Sequence, residues 1–380
     1  MHEQSPPASM HLFPRIYATS SAHHWICSER YQVERLQGVT EPFCSVNEQL
    51  DPYFKKLFTT ARPPASDYLL HRAPGWDSNL YPVPVLLVHG AALDASSFTD
   101  LFGMGLKGLQ QHLVALGHRV FALTFSHSHG NNLYQAEQLA AAIEQVKTLC
   151  QVQQLDLVVH SKGGIPARIY LSDLAAAPYR GDVRRLIMLG VPNLGTDYAF
   201  RNPAISYFLY LSGGNGVIAW DKIMHMGLWK DTCKYAIYSD GSFPGQRQLL
   251  QRWDDEYALD VTQIDWWTSY YGGTGYISHS RGIDVALQEG QEFMQWLNRF
   301  GLDAGIEVAM LAGNNHYFGP FPGESTGESD GVIFVQSALD SESILQNGAT
   351  LLTKEILPVN HLELLFKKRV AHWVHQQLLQ

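Results

Sequence analysis

The sequence predicts an α/β fold: a mostly parallel central sheet with helices on both faces, broken by one large insertion. Three observations predict it. Strand-like and helix-like segments alternate from residue 82 to 191, the pattern of βαβ units. The strand segments are short, continuous apolar runs, as strands buried on both faces must be. The alternation then stops for about a hundred residues rich in Trp, Tyr and Gly, too long for a plain connection, and resumes near residue 306.

The elements follow in order. Residues 1–80 are irregular and rich in Pro, Ser and His, with edge strands expected around ERYQVERL and SDYLLHRA. PVPVLLVHG, 82–90, is a buried strand ending in Gly. Residues 102–117 show helical spacing at Leu106, Leu109, Leu113 and Leu116, with Gly117 as a stop. HRVFALTF, 118–125, is the next strand. Asn131 and Asn132 can cap a helix over 133–150, whose Leu133, Ala136, Leu139, Ala140, Ile143 and Val146 share one face. LDLVV, 155–159, a helix from about 163, and VRRLIMLGV, 183–191, complete the first block. The second block holds IEVAMLAG, 306–313, GVIFVQSA, 331–338, and an amphipathic helix over 361–378. The expected domains are an extension over 1–80 packed on the core, core residues 81–197, an inserted cap or lid over 198–305, and core residues 306–380.

Composition excludes several function classes. With 27 Lys and Arg against 36 Asp and Glu, the net charge is −9. An acidic chain without basic blocks does not suit nucleic acid or an anionic membrane surface. No apolar run reaches the length that spans a bilayer. The N-terminus lacks the apolar stretch of a signal peptide, so the expected location is cytoplasmic, with export left open. Cys27, Cys44, Cys150 and Cys233 are scattered, with no metal-ligand spacing, and no metal or cofactor is expected. Cys150 reads as a small core residue, and a Cys27–Cys44 disulfide is left open.

Two serines compete for a chemical role. DLVVHSKGGIPAR, 156–168, and ALTFSHSHGNN, 122–132, both carry His-Ser-x-Gly. A serine lifted above a sheet on a tight strand–turn–helix needs small residues two before and two after it. Ser128 has Ser126 and Gly130 there, whereas Ser161 has Val159 and Gly163. That rule alone slightly favours Ser128. Three features favour Ser161. Gly163 and Gly164 follow it and a helix starts at once, where Pro166 is tolerated in the first turn. Ser128 is followed instead by loop residues. An oxyanion donor must come from an earlier strand end, and HG at 89–90 precedes Ser161 with room for two strand–helix units. Ser161 is thus the expected nucleophile. Ser128, with His89, His127 and His129, is read as a substrate contact at strand C-termini, where open α/β sheets bind ligands.

LLVHG, VVHSKGG, RLIMLGVPNLGT, SDGVIFVQSA and VNHLELL, in this order, resemble bacterial lipases and esterases of the α/β-hydrolase superfamily. The resemblance covers 82–197 and 306–380, not the N-terminal segment or the insertion. Val159 departs from it, since the family carries Gly or Ala there. It implies an α/β-hydrolase fold and a Ser-Asp-His triad. His361, on the loop before the last helix, is the expected base. Asp330, before Gly and an apolar run, is the expected acid, with Glu328 next in line. The resemblance also implies the backbone amides of Ala91 and Lys162 as oxyanion donors. The Lys162 side chain is read as exposed at a helix start, and Asp197 as a helix cap.

The expected activity is serine carboxylester hydrolysis through an acyl-enzyme on Ser161. The substrates are apolar acyl esters, small or polymeric, among them triglycerides and aliphatic polyesters. Most insertion aromatics are expected to form its own core and the rest to line an apolar cleft. The alternative is a non-catalytic hydrolase-like protein that binds a lipid or a partner. Acyl chain length and oligomeric state are not readable from the sequence.

Overall fold

The structure is a computed structural model that describes residues 24–380 apart from 44–47, 50, 102, 104, 212–217, 233–235 and 238–242. The first six strands are β1 (Cys27–Gln32), β2 (Asp67–Arg72), β3 (Tyr81–Val88), β4 (His118–Phe125), β5 (Leu155–His160) and β6 (Val183–Leu189). After β6 come β7 (Trp220–His225), β8 (Leu228–Asp231), β9 (Gly273–Thr274) and β10 (Ser278–Ser280). β11 (Glu307–Gly313), a short hairpin of β12 (Tyr317–Phe318) and β13 (Phe321–Pro322), and β14 (Thr350–Leu357) complete the set.

Eight strands form the main sheet in the order β1-β2-β4-β3-β5-β6-β11-β14. β1 and β2 run antiparallel at one edge, and the pairs from β4 to β14 are parallel. This order, with helices on both faces, is the α/β-hydrolase fold. The winding reverses at β3, which lies between β4 and β5. Ligands of open α/β sheets bind outside the strand C-termini at such a reversal. The strand ends that meet there carry His89–Gly90 and Ser161.

Side-chain alternation splits the core in two. Val85 and Leu87 of β3 face a cluster shared with α1 (Pro52–Phe58), α2 (Leu109–Ala115) and the C-terminal helix Lys368–Leu379. Leu86 and Val88 face the other side, against α3 (Asn132–Cys150) and α4 (Gly164–Leu171). Each such fully buried aliphatic side chain contributes roughly 1.5–3 kcal/mol relative to exposure. α3 begins as its sequence predicts, with the Asn131 side chain accepting from the Leu133 amide at 2.9 Å.

Four sequence expectations are corrected. The helix over 102–117 forms only as α2, because Gly103 and Gly105 hold positive φ, 63° and 76°, and break its first half; residues 102 and 104 lie outside the described residues. The apolar run 331–338 makes no strand of the main sheet. It turns at Asp330–Gly331 and ends in a single helical turn, Val335–Ala338, while β14 supplies the last strand. The C-terminal helix starts at Lys368, after a 3-10 turn at Glu363–Leu365. α1 lies in the segment read as irregular; its Phe54 and Phe58 are fully buried.

β8, β7, β10 and β9 form a separate antiparallel sheet. It packs with its own apolar cluster, which includes Phe200, Trp220, Ile223, Tyr270 and Ile283. Other aromatics of this segment face outward, Tyr276 and Trp267 among them. Cys27 and Cys150 are free and half-buried; Cys44 and Cys233, and so the Cys27–Cys44 pairing, lie outside the described residues. Among the described residues no helix is long and apolar enough to cross a membrane.

Candidate active site

β5 ends at His160, and Ser161 turns the chain into α4 with φ of +53°. A non-glycine residue in this left-handed region is strained and persists only where its surroundings hold it. The packing around it has no slack. A Cβ on Gly163 would lie 2.4 Å from the His89 carbonyl oxygen, and one on Gly164 would lie 2.4 Å from Val191 Cγ1. A Cβ on Gly90 would lie 2.8 Å from Ser161 Cβ. The chain before Ala91 is thereby pressed against the serine. Val159, by contrast, points into the core beside α3 and α4 and is fully buried. The crowding falls after the serine, where this chain has its glycines, so a β-branched residue two positions before it is accommodated.

Ser161, His361 and Asp330 are brought into one line. Ser161 Oγ and His361 Nε2 are 2.8 Å apart. His361 Nδ1 donates to Asp330 Oδ2 at 2.6 Å. The other carboxylate oxygen of Asp330 accepts from the amides of Val332 and Ile333 at 3.0 and 2.8 Å. All three side chains are largely buried, with Ser161 the most exposed at 9%. With Nδ1 protonated and held by the carboxylate, Nε2 is left to accept the serine proton. Glu328, the runner-up acid, accepts from Asn314 instead.

The other predicted residues have different surroundings. His89 is buried, and both its ring nitrogens engage backbone: Nδ1 donates to the Gly90 carbonyl at 2.8 Å and Nε2 accepts from the Phe125 amide at 3.2 Å. Burial pushes it down to about 4, with the nearby Lys162 charge adding. His127 donates to the Pro42 carbonyl at 3.1 Å and accepts from the His129 amide at 3.1 Å. His129 Nδ1 accepts from Gln246 at 2.7 Å. Both ring nitrogens of His89 and of His127 are engaged within the protein, and all three histidines are buried. Ser128 is the half-buried member of that loop. Lys162 is also corrected: its side chain is 1% exposed and donates to Gln135 Oε1. Asp197 stands at the N-cap position of the short helix Tyr198–Arg201, but its side chain makes no capping hydrogen bond. It is fully buried, paired with Arg201 at 2.9 Å, and accepts from Tyr270 Oη at 2.7 Å. Burial raises its pKa against the opposing pull of Arg201.

Three residues at the site were not found from sequence. His160 donates through Nε2 to the His361 carbonyl at 3.0 Å, tying the His361 loop to the strand that leads into Ser161. Burial, and then the adjacent His361, push His160 well below the ordinary imidazole range. Gly190, with φ of +58°, ends β6 where a Cβ would lie 3.0 Å from Asp330 Oδ2 and 3.2 Å from His361 Nδ1. Asn360 accepts from the Leu362 and Glu363 amides and donates to the Tyr317 carbonyl at 2.8 Å, which fixes the turn holding His361. Only the glycine at the end of VRRLIMLG left a readable signal. Among the described residues no group of three or more His, Cys, Asp or Glu is arranged to hold a metal.

Residues 71–207 match a family described as a domain of unknown function, DUF7379. No curated protein matches the sequence. Solved structures similar to this chain include the mature lipase BlEst2 of Bacillus licheniformis, 17% identical over 78% of this chain and 92% of that one, with a TM-score of 0.45. Carboxylesterase CesB of Bacillus subtilis is 14% identical over 96% and 94%, with a TM-score of 0.39. EstA of Clostridium botulinum is 15% identical over 75% and 83%, with a TM-score of 0.38. The fold assignment stands on the strand order above, independently of these similarities.

Proposed function

We propose that the chain is a serine carboxylester hydrolase, an esterase or lipase acting on apolar acyl esters. The observation that carries this reading is the hydrogen-bonded line Ser161–His361–Asp330, built on a serine in left-handed backbone at the C-terminal end of a central strand. A serine hydroxyl is a weak nucleophile until a base takes its proton, and an imidazole at 2.8 Å is placed to do so.

The reaction then runs in two halves. Ser161 Oγ attacks the acyl carbon while His361 Nε2 takes its proton. Asp330 holds Nδ1 and stabilises the imidazolium. The oxyanion is received by the backbone amides of Ala91 and Lys162. His361 returns the proton to the departing alcohol, leaving an acyl-enzyme on Ser161. Water, deprotonated by His361, attacks the acyl carbon, and collapse releases the acid and regenerates the serine. No cofactor enters this sequence.

The segment 198–305, with its own small sheet and outward aromatics, is read as a cap over the core. Triglycerides and aliphatic polyesters are the substrate classes this reading includes. The test pairs p-nitrophenyl butyrate turnover with a fluorophosphonate probe, locating the adduct by peptide mass mapping. Turnover with an adduct on Ser161 is expected. No turnover and no adduct would leave a hydrolase-like binding protein as the better account.

A further inference from the structure

Lys162 is an unusual residue to bury beside a nucleophile. Its side chain is 1% exposed and donates to Gln135 Oε1. Gln135 in turn donates to the His127 carbonyl at 2.8 Å. The hydrogen-bond partner of the ammonium is thus a neutral amide oxygen and not a carboxylate. A buried cation bonded to a neutral group is costly, so the arrangement calls for a reason. The group facing it is Glu41, itself 8% exposed, whose Oε1 accepts from the Asn131 amide at 2.6 Å. Burial pushes Lys162 down to about 7 and Glu41 up to about 7, and the charge of each opposes the other's shift.

The same side chain also meets residue 245. A Cβ on Gly245, in the segment read as cap, would lie 2.5 Å from Lys162 Cε, and the Gly245 amide donates to the His129 carbonyl at 3.0 Å. The Phe43 ring lies 4.2 Å from that of His127. The Lys162 side chain is therefore held between α3, through Gln135, and residue 245, with the Glu41 charge of the N-terminal segment facing it. What it holds is one peptide unit after Ser161.

We propose that Lys162 is a positioning residue for ester hydrolysis: its buried side chain, held by Gln135 and faced by Glu41, fixes the main chain that presents the Lys162 amide to the oxyanion. The N-terminal segment thereby becomes part of the active-site support through Glu41. This rests on the hydrolase reading above. A misplaced donor weakens transition-state binding more than substrate binding, so the loss falls on kcat.

The test compares wild type with Lys162→Met, which keeps the stem and removes the ammonium, with Glu41→Gln, and with the double variant. Lys162→Met is expected to lower kcat about 10- to 100-fold with KM within about threefold. Phosphonylation of Ser161 should slow in parallel, since the phosphoryl oxygen occupies the same oxyanion site. Glu41→Gln should show a smaller kcat loss, and the double variant should be no worse than Lys162→Met. A folded Lys162→Met with unchanged kcat overturns the proposal, as do losses that simply multiply in the double variant. If Lys162→Met does not fold, an unchanged kcat in Glu41→Gln overturns it. Wild-type labelling at Ser161 separates the cases: without it the hydrolase reading fails, and with it only this inference is at stake.

Discussion

His361 and Asp330 touch twice. The His361 amide donates to the Asp330 carbonyl at 2.9 Å, and its Nδ1 donates to the Asp330 carboxylate at 2.6 Å. Backbone and side chain thus fix the imidazole together, although 31 residues separate the two. Asp330→Asn keeps an oxygen for the Val332 and Ile333 amides but can turn an NH₂ toward Nδ1, which favours the wrong tautomer. A fall in kcat/KM of about 10⁴ with little change in Tm is expected. Activity above a tenth of wild type would mean that Asp330 does not orient the base.

Ser161 and Ser128 separate cleanly by substitution. Ser161→Ala should lower kcat by several orders of magnitude, on the order of 10⁴–10⁶. Ser128→Ala should keep most activity, since Ser128 sits on the loop whose histidines brace the interior. The opposite ranking, measured with p-nitrophenyl butyrate, would move the nucleophile.

How much of this was legible in the sequence depends on range. Ser161 could be chosen because its turn is local: Gly163 and Gly164 follow it directly and α4 starts there. Asp330 and His361 are implied by the family resemblance of SDGVIFVQSA and VNHLELL, short loops beside apolar runs. Lys162 was misread because residues 41, 135 and 245, which bury it, are distant in sequence. The partners of His89 and His127, at Phe125 and Pro42, are tertiary and leave no mark in the local sequence. β14, TLLTKEIL, is largely exposed along its length and so lacks the apolar run that marks β5. α1 did leave a trace, Asp51–Pro52, a cap followed by a first-turn proline, in a segment set aside as irregular.

Gly163 should tolerate no side chain. An added Cβ meets two backbone oxygens, of His89 at 2.4 Å and Val88 at 2.8 Å. These atoms cannot swing aside, so the end of β3 must shift. Overpacking of this kind costs about 1–3 kcal/mol. The same shift moves Gly90 and Ala91 relative to Ser161, so Gly163→Ala should lose activity well beyond what its drop in Tm explains. Normal kcat/KM in a Gly163→Ala protein would show that the β3 end is not held in place for the reaction.

Arg201 carries a stability prediction away from the chemistry. Its side chain is fully buried, pairs with Asp197 at 2.9 Å, and donates to the carbonyls of Tyr257 and Ala258 at 2.9 and 3.1 Å. It bridges the entry to the inserted segment and the Glu324 loop, where Glu324 lies 3.8 Å away. Arg201→Met leaves Asp197 and Glu324 as buried carboxylates without their cation. Removing one partner of such a pair costs about 3–5 kcal/mol. Urea titration should show that loss as a lower midpoint. A shift below 1 kcal/mol would mean that the pair is dispensable.

Acid should destabilise the fold before it protonates most surface carboxylates. Burial pushes His71 down to about 3, and His89, His118 and His127 down to about 4. A second histidine charge or that of Lys162 adds to the effect at each. His71 shows why this neutral form is preferred: its nitrogens bond Ser28 Oγ at 2.7 Å and Thr124 Oγ1 at 2.8 Å in a fully buried site. In the unfolded chain these groups bind protons near pH 6.5. Their stabilisation is therefore complete above that pH and is lost as pH falls below it. Glu41 and Asp94 oppose the trend, because burial raises them to about 7 and about 6 and the folded state gains their protons first. These six groups alone leave the unfolded state ahead by about two protons near pH 5.5, a slope on the order of 2–3 kcal/mol per pH unit, and His160, pushed well down by burial, adds in the same direction. Tm should fall steeply from pH 6.5 to 5, and a Tm that stayed level or rose over that interval would show that the buried histidines do not govern acid stability.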